Sequence, residues 1–479
     1  MKIKKNLLIF FAALSATSLS AQVTGMDGYI KGTGVEIGIN GHGGHEGAVI
    51  SASPLPAGMH LRSPGIDLFG FVANPQNNAW ATYDGDYYTP GSPENGWGFE
   101  IDTNGVSKSN NSNLSVQEIP GSIAGWSHIG TTYSLDWMGS STTGTDLDFL
   151  INYELEETDL FYTTTVTITN NTSSTIPDLY YYRNVDPDNN QSLSGDFMTQ
   201  LTVLSQPVSS LTIASVTATQ TLPWNSYFSF IGNDSAFRVG YGGFSNRDAS
   251  SMWHGNAPGG VTSGYKDSVG ATNLWDAAMF IAYRIQNFAP FTSRTFRFCS
   301  VFDTASVDCA VHELATSFAL TSPVNTSTPA FTLTGGSPAG GTYSGPGIVG
   351  SNIFDPSVSG AGTFNIIYTH TDSSGCTATA SASIQVDLAS AITENDLSEL
   401  IYVYPNPFST SATIKISQDI KLSNAEFHLY DILGKEVYTL KNINSNEFRI
   451  EQKDLPAGVY FYKLMNNGIA LKTDKLTIK

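Results

Sequence analysis

Apolar residues recur at every second position over short stretches of this chain, and glycine, asparagine, serine and proline interrupt each stretch before a helix-length pattern can develop. In Phe161–Thr169, the residues Tyr162, Val166 and Ile168 share one face of an extended segment. Thr377–Val386 alternates strictly, with Ala378, Ala380, Ala382, Ile384 and Val386 on one side and Thr377, Thr379, Ser381, Ser383 and Gln385 on the other. A period of two belongs to strands that bury one face and wet the other. The expectation is therefore an all-β protein whose only helices are short. All seven tryptophans (Trp80, Trp97, Trp126, Trp137, Trp224, Trp253, Trp275) fall in residues 23–303, a length that suits one large domain of β-sandwich type. A smaller β module is expected over 306–386, a linker over 387–400 and a further small β-sandwich over 401–479.

At the start of the chain, Lys2, Lys4 and Lys5 precede the apolar run Leu7–Leu14, and small residues lead to Ser20-Ala21-Gln22. That is the pattern of a cleaved signal peptide over residues 1–21. No other stretch reaches the roughly 18 apolar residues that a membrane-spanning helix requires. Charge is placed unevenly. Setting aside the three signal lysines and the balanced segment 396–479, with ten acids and ten bases, the body carries 32 acidic against 10 basic residues. Such a body disfavours nucleic acid or an anionic membrane, since phosphate binding needs clustered Lys and Arg, and suits cations or neutral glycans better. The same acidity also serves solubility alone. Cys299, Cys309 and Cys376 are the three cysteines. An odd number leaves at least one thiol free or paired between chains, and no C-x-x-C spacing points to zinc or redox chemistry.

The tail carries the most specific motifs. Tyr404-Pro405-Asn406-Pro407-Phe408 opens it, and its two prolines fix φ, remove backbone donors and exclude a helix start. Short alternating runs follow over residues 412–417, 425–430, 436–440, 448–451, 459–464 and 471–478. They are broken at Leu433-Gly434, Pro456-Ala457-Gly458 and Asn466-Asn467-Gly468. Together with Tyr430–Val437, Leu455–Tyr460 and the closing Lys475-Leu476-Thr477-Ile478-Lys479, this series resembles the type A C-terminal sorting domain of the type IX secretion system of Bacteroidota. The resemblance implies that Pro405, Asn406, Pro407, Gly434, Gly458, Lys475 and Lys479 belong to the sorting signal. It also implies that the partners are the type IX secretion machinery and a surface sortase, and that the destination is the outer cell surface or the medium.

The middle segment, with Leu333–Gly347, Phe354-Asp355-Pro356, Gly362-Thr363-Phe364 and Asp372–Ala378, is similar to Ig-like or PKD-like spacer modules of surface proteins. In such modules a cysteine shortly before the Leu-Thr-Gly-Gly stretch pairs with the late one. Here that neighbourhood reads Val324-Asn325-Thr326-Ser327-Thr328, so Cys376 lacks its usual partner and Cys309 is a possible substitute. In the body, Thr165–Asn171 followed by Tyr180–Asp188 and the strand ending at Phe298 resemble galactose-mutarotase-like supersandwich domains in strand phrasing, and not in catalytic residues.

Four local constellations bear on chemistry. Asp186, Asp188 and Asn190 alternate like the oxygen ligands of a calcium loop, although Gln191 and Phe197 stand where an EF-hand needs Gly and Glu, so the choice is between a shorter calcium or substrate loop and a polar turn at Pro187. Trp97 between glycines, Trp126 after Gly125, and Trp253 before His254-Gly255 are candidate ligand-binding residues, together with His254, against the ordinary reading of tryptophan as core. His42-Gly43-Gly44-His45-Glu46 lacks metalloprotease spacing and reads as a flexible surface loop. Gly345–Gly350 satisfies G-x-G-x-x-G, but Pro346 and its β surroundings offer no helix N-terminus for a pyrophosphate. No nucleophile motif appears, and carboxylates are too many to single out a glycosidase pair. The reading is a secreted surface protein whose body binds glycan or matrix, with calcium as a possible cofactor. The alternative is a secreted polysaccharide-active enzyme of supersandwich type.

Overall fold

The computed structural model describes residues 21–24, 26–44, 59, 70–73, 95–102, 107–112, 116–141, 145–188, 195–209, 211–220, 226–242, 244, 248–255, 265–388 and 400–479. Residues 1–20, within the stretch expected to be a signal peptide, lie outside that set. The chain divides into two compact units, residues 1–387 and 388–479. Both are built from mainly antiparallel sheets, and the architecture is all-β and sandwich-like.

In the first unit, a nine-stranded sheet has the order Thr272–Trp275, Thr199–Ser205, Ile213–Gln220, Ser226–Asn233, Thr292–Val301, Phe161–Asn170, Leu147–Glu156, Thr132–Ser140, Gly121–Ile129. A six-stranded sheet runs Phe237–Gly242, Ala278–Phe288, Ile176–Val185, Asn95–Asp102, Ser107–Ser112, Val116–Gln117. Their inner faces meet. Trp97 of the second sheet stands edge-on to Trp137 of the first at 5.2 Å, and Tyr181 meets Phe296 at 5.2 Å. The alternation in the sequence is what makes this possible: Tyr162, Val166 and Ile168 all point into this core, while Thr165, Thr167 and Thr169 do not. A smaller sheet, Ala21–Thr24, Asp27–Lys31, Val35–Ile39 and Phe71–Ala73, adds Ile30, Val35, Ile37 and Ile39 to the same core.

Two helices cover outer sheet faces. Ala249–His254 is capped by Asp248, whose side chain accepts from the Ser251 N–H, and ends at Gly255 in the left-handed region. It packs Ala249 and Met252 on Tyr180, Tyr182, Phe280 and Ala282 of the six-stranded sheet. Val307–Ala315 packs Ala310 over Ile231, Cys299 and Val301 on the outer face of the nine-stranded sheet.

Residues 317–387 form small sheets around Leu333, Tyr343, Phe354, Ile366, Tyr368, Ile384 and Val386. Ala378, Ile384 and Val386 are buried, Ala380 and Ala382 are partly buried, and Thr377, Thr379, Ser381, Ser383 and Gln385 are exposed, as the alternation requires. Cys309 pairs with Cys376, and Cys299 is a free, buried thiol.

The second unit is a sandwich of a three-stranded sheet (Ile401–Tyr404, Ser411–Ile416, Glu447–Glu451) and a four-stranded sheet (Glu436–Ile443, Ala425–Tyr430, Gly458–Asn466, Ile469–Ile478). Ile414, Phe427, Leu464 and Leu476 lie fully buried between them. The strand Ile401–Tyr404 was not foreseen, because it consists of only four residues and ends at Pro405. At Gly434 (φ 80°) the turn is held by Asp431, whose side chain accepts from Leu433 N and Lys435 N.

Candidate functional site

His42-Gly43-Gly44 is not a surface loop. It is wedged between the two large sheets, with His42 only 7% exposed. Buried backbone carbonyls need donors, and the core supplies them from side chains. Trp137 Nε1 donates to Gly41 O at 2.9 Å, Trp97 Nε1 to His42 O at 2.9 Å, Asn111 Nδ2 to His42 O at 3.0 Å and Tyr153 OH to Gly43 O at 2.8 Å. A terminal guanidinium nitrogen of buried Arg183 lies 3.3 Å from both Gly43 O and Tyr153 OH. Burial lowers the His42 pKa, which disfavours the charged form of its imidazole. His45 and Glu46 lie outside the described residues.

At one end of the six-stranded sheet, the acidic residues of the expected calcium loop gain a third member. Asp186 and Asp188 follow strand Ile176–Val185, and Asp276 precedes strand Ala278–Phe288. The antiparallel pairing Val185↔Met279 brings the two chain segments side by side, so one carboxylate oxygen from each of Asp186, Asp188 and Asp276 lies within 4.8 Å of the others. Asp186 and Asp188 are 5% and 2% exposed. Burial, then the nearby Asp196, raises the pKa of Asp276. Clustered, desolvated carboxylates favour either protons or a hard cation, and calcium takes oxygen ligands of this type. Asn190 lies outside the described residues. Asp276 could not be found from local spacing, since it is distant in sequence and only strand pairing delivers it.

The four aromatic candidates separate. Trp97 is fully buried, which corrects its reading as an exposed platform. Its flanking Gly98 marks close strand approach and not open space: a Cβ there would lie 2.5 Å from Ser109 O and 2.6 Å from Asn110 Oδ1. Trp126 is 53% exposed, and a Cβ on Gly125 would meet nothing within 4 Å. It sits on Gly121–Ile129, the edge strand of the nine-stranded sheet, opposite Leu135. Two residues on, His128 stacks on Tyr133 at 4.3 Å. Trp253 is half-buried. Its Nε1 donates to Ala236 O at 2.7 Å, and the guanidinium carbons of Arg238 and Arg284 lie 4.7 and 4.9 Å from its ring, so its own neighbours occupy it. His254 is exposed at the end of the helix, with Nδ1 2.8 Å from Ser250 O.

One carboxylate pair does stand out. Glu100 and Asp248 are hydrogen-bonded to each other, and Ser250 Oγ donates within 3.0 Å of Glu100 Oε1 and 3.1 Å of Asp248 Oδ1. Burial, then the Asp248 contact, raises the Glu100 pKa. Direct contact leaves no room for a sugar between them, and the pair anchors the helix start instead.

In the second unit the opening and closing motifs of the tail meet. Asn406 Nδ2 donates to Lys475 O at 2.9 Å, and Thr477 N donates to Asn406 Oδ1 at 2.9 Å. Phe408 N then donates to Thr477 O at 3.0 Å, and Lys479 N to Phe408 O at 2.8 Å. The family model described as a secretion system C-terminal sorting domain matches residues 402–479. Those residues are a type IX sorting domain. The sorting domain directs the chain through the type IX secretion system to the cell surface or beyond. Among the described residues, no helix is long and apolar enough to cross a membrane.

No curated protein matches the chain in sequence. Among solved structures it is similar to heparan sulfate lyase HepC from Pedobacter heparinus (9% identity, 59% of this chain and 36% of that one, TM-score 0.29). It is also similar to a polysaccharide lyase (10% identity, 90% and 47%, TM-score 0.26). A third is a galactose mutarotase-like protein from Clostridium acetobutylicum (8% identity, 58% and 94%, TM-score 0.24). The chain thus spans less than half the length of either lyase. Scores this low say nothing about its chemistry.

Proposed function

We propose that the exported body, residues 23–303, is a binding module for glycan or matrix polymers, with Trp126 as its stacking surface and a calcium ion held by Asp186, Asp188 and Asp276. In this reading residues 1–21 are a signal peptide, 306–386 an Ig-like spacer and 387–400 a linker, and a surface sortase removes the sorting domain after export. The exposure of Trp126 beside the open space at Gly125 carries the proposal. An exposed indole presents a flat apolar face on which a sugar ring can stack, and it contributes little to core packing. The cation would sit away from solvent and brace the strand ends. The second reading is a polysaccharide-active enzyme, for which the meeting of Arg183 and Tyr153 at the Gly43 carbonyl is the supporting observation.

A glycan array combined with a polysaccharide-degradation screen on the full chain tests both. Retention that Trp126→Ala weakens without changing the melting temperature supports binding. Release of oligosaccharides would replace the binding reading with the enzymatic one. Unaltered retention by Trp126→Ala would remove the stacking surface.

A further inference from the structure

The lead-in Pro405–Phe408 and the final strand of the sorting domain are far apart in sequence but form one ladder. The strand Ile469–Ile478 pairs on one side with Gly458–Asn466, and its other side is an edge. An open edge of this kind normally needs covering. The lead-in cannot cover it as a regular strand, because Pro405 and Pro407 have no N–H to offer. Asn406 solves this with its side chain, whose amide carries a donor and an acceptor side by side, like a peptide group. It therefore bonds Lys475 O and the Thr477 N–H as a neighbouring strand would, and Phe408 continues the ladder with its own backbone to Thr477 and Lys479.

The ladder also sets a surface. Cross-strand pairs Val459↔Thr477 and Phe461↔Lys475 put these four residues on one outward face. Val459 and Phe461 are 39% and 47% exposed two residues apart on one strand face, and Lys475 is exposed beside them. The exposed rings of Pro405 and Pro407 lie on the segment that Asn406 fixes to this strand.

We infer that the export machinery reads one composite surface, made of the lead-in prolines, Val459, Phe461 and Lys475, and that Asn406 is the positioning residue that joins its two halves. The partner that fits is a protein of the export machinery offering an apolar recess for Phe461 flanked by carboxylates for Lys475. Asn406 itself is not required to touch that partner.

The test uses the full chain in the secreting cell, with amide exchange on the purified protein. Asn406→Ala removes two hydrogen bonds, so exchange at the Thr477 and Lys479 amides should rise roughly tenfold or more while the core amide of Phe427 stays protected. Surface delivery should fall with it. Phe461→Ser, on an exposed side chain, should leave exchange and melting unchanged and still reduce surface delivery severalfold. Normal delivery of a folded Phe461→Ser chain would overturn the surface. Unchanged Thr477 exchange, or normal delivery, in Asn406→Ala would overturn the positioning role.

Discussion

Cys309 and Cys376 are joined by a disulfide across 67 residues of chain. Cys309 stands on the helix Val307–Ala315, which lies on the nine-stranded sheet, and Cys376 immediately precedes the strand Thr377–Asp387. The bond ties the helix that packs on the nine-stranded sheet to the start of the strand Thr377–Asp387. His312 on the same helix adds a contact, its Nε2 3.3 Å from His370 O.

Cys309→Ser with Cys376→Ser should therefore lower stability. Closing a loop of this length is worth about 4 kcal/mol in the chain-entropy model, an upper figure for a bond in a folded domain. Thermal melting under oxidising and reducing conditions measures it. Only the wild type should respond to reductant. Cys299 should remain unreactive towards thiol reagents until the protein unfolds, because burial pushes its pKa up to about 12.

Calcium should stabilise the chelator-treated protein. A ligand that binds only the native state at about a hundredfold above its Kd adds about 2.7 kcal/mol, which appears as a rise in melting temperature. Asp276→Asn should abolish the rise as completely as Asp188→Asn does, since one oxygen from each of the three carboxylates lies within 4.8 Å of the others. A rise that survives Asp276→Asn would place the ion elsewhere.

Trp97→Ala and Trp126→Ala should behave oppositely. Trp97 packs against Trp137, Phe149 and Tyr181, so its loss should cost roughly 3–5 kcal/mol. Trp126→Ala should change the melting temperature little. Denaturant titration of the two variants provides the comparison.

Asp159 should make the protein less stable as pH rises from about 4 towards 7. Burial, then the charges of Glu156 and Glu313, raises its pKa to about 7. A raised carboxyl pKa means the folded state holds the proton more tightly. Its stabilising share is complete below the unfolded pKa of roughly 4 and disappears as pH climbs through the folded value. Asp159→Asn should flatten that part of the stability profile, measured by melting at stepped pH.

Strand identity was legible because one face of each strand is buried and the period of two survives in the residues: Tyr162, Val166 and Ile168 point where the alternation sends them. Six tail strands appear within a few residues of their expected positions for the same reason, and the proline-bounded lead-in did not read as a strand. The sorting domain was legible because its motifs are contiguous stretches of sequence.

Tertiary structure decided what depends on pairing between distant segments. Gly98 and Gly125 are the same residue beside a tryptophan, yet one admits a neighbouring strand and the other faces open space. No local pattern separates these cases, because a missing Cβ serves close approach and exposure equally. His42-Gly43-Gly44 has the composition of a surface loop and is buried because Trp97, Trp137, Tyr153 and Asn111 supply donors to its carbonyls from other strands. Asp276 joins Asp186 and Asp188 only through the register of two strands. The sequence by itself determined the period of the strands and the sorting motifs, both local properties. The buried loop, the acidic cluster and the surface that Asn406 assembles came from long-range register, which individual segments do not encode.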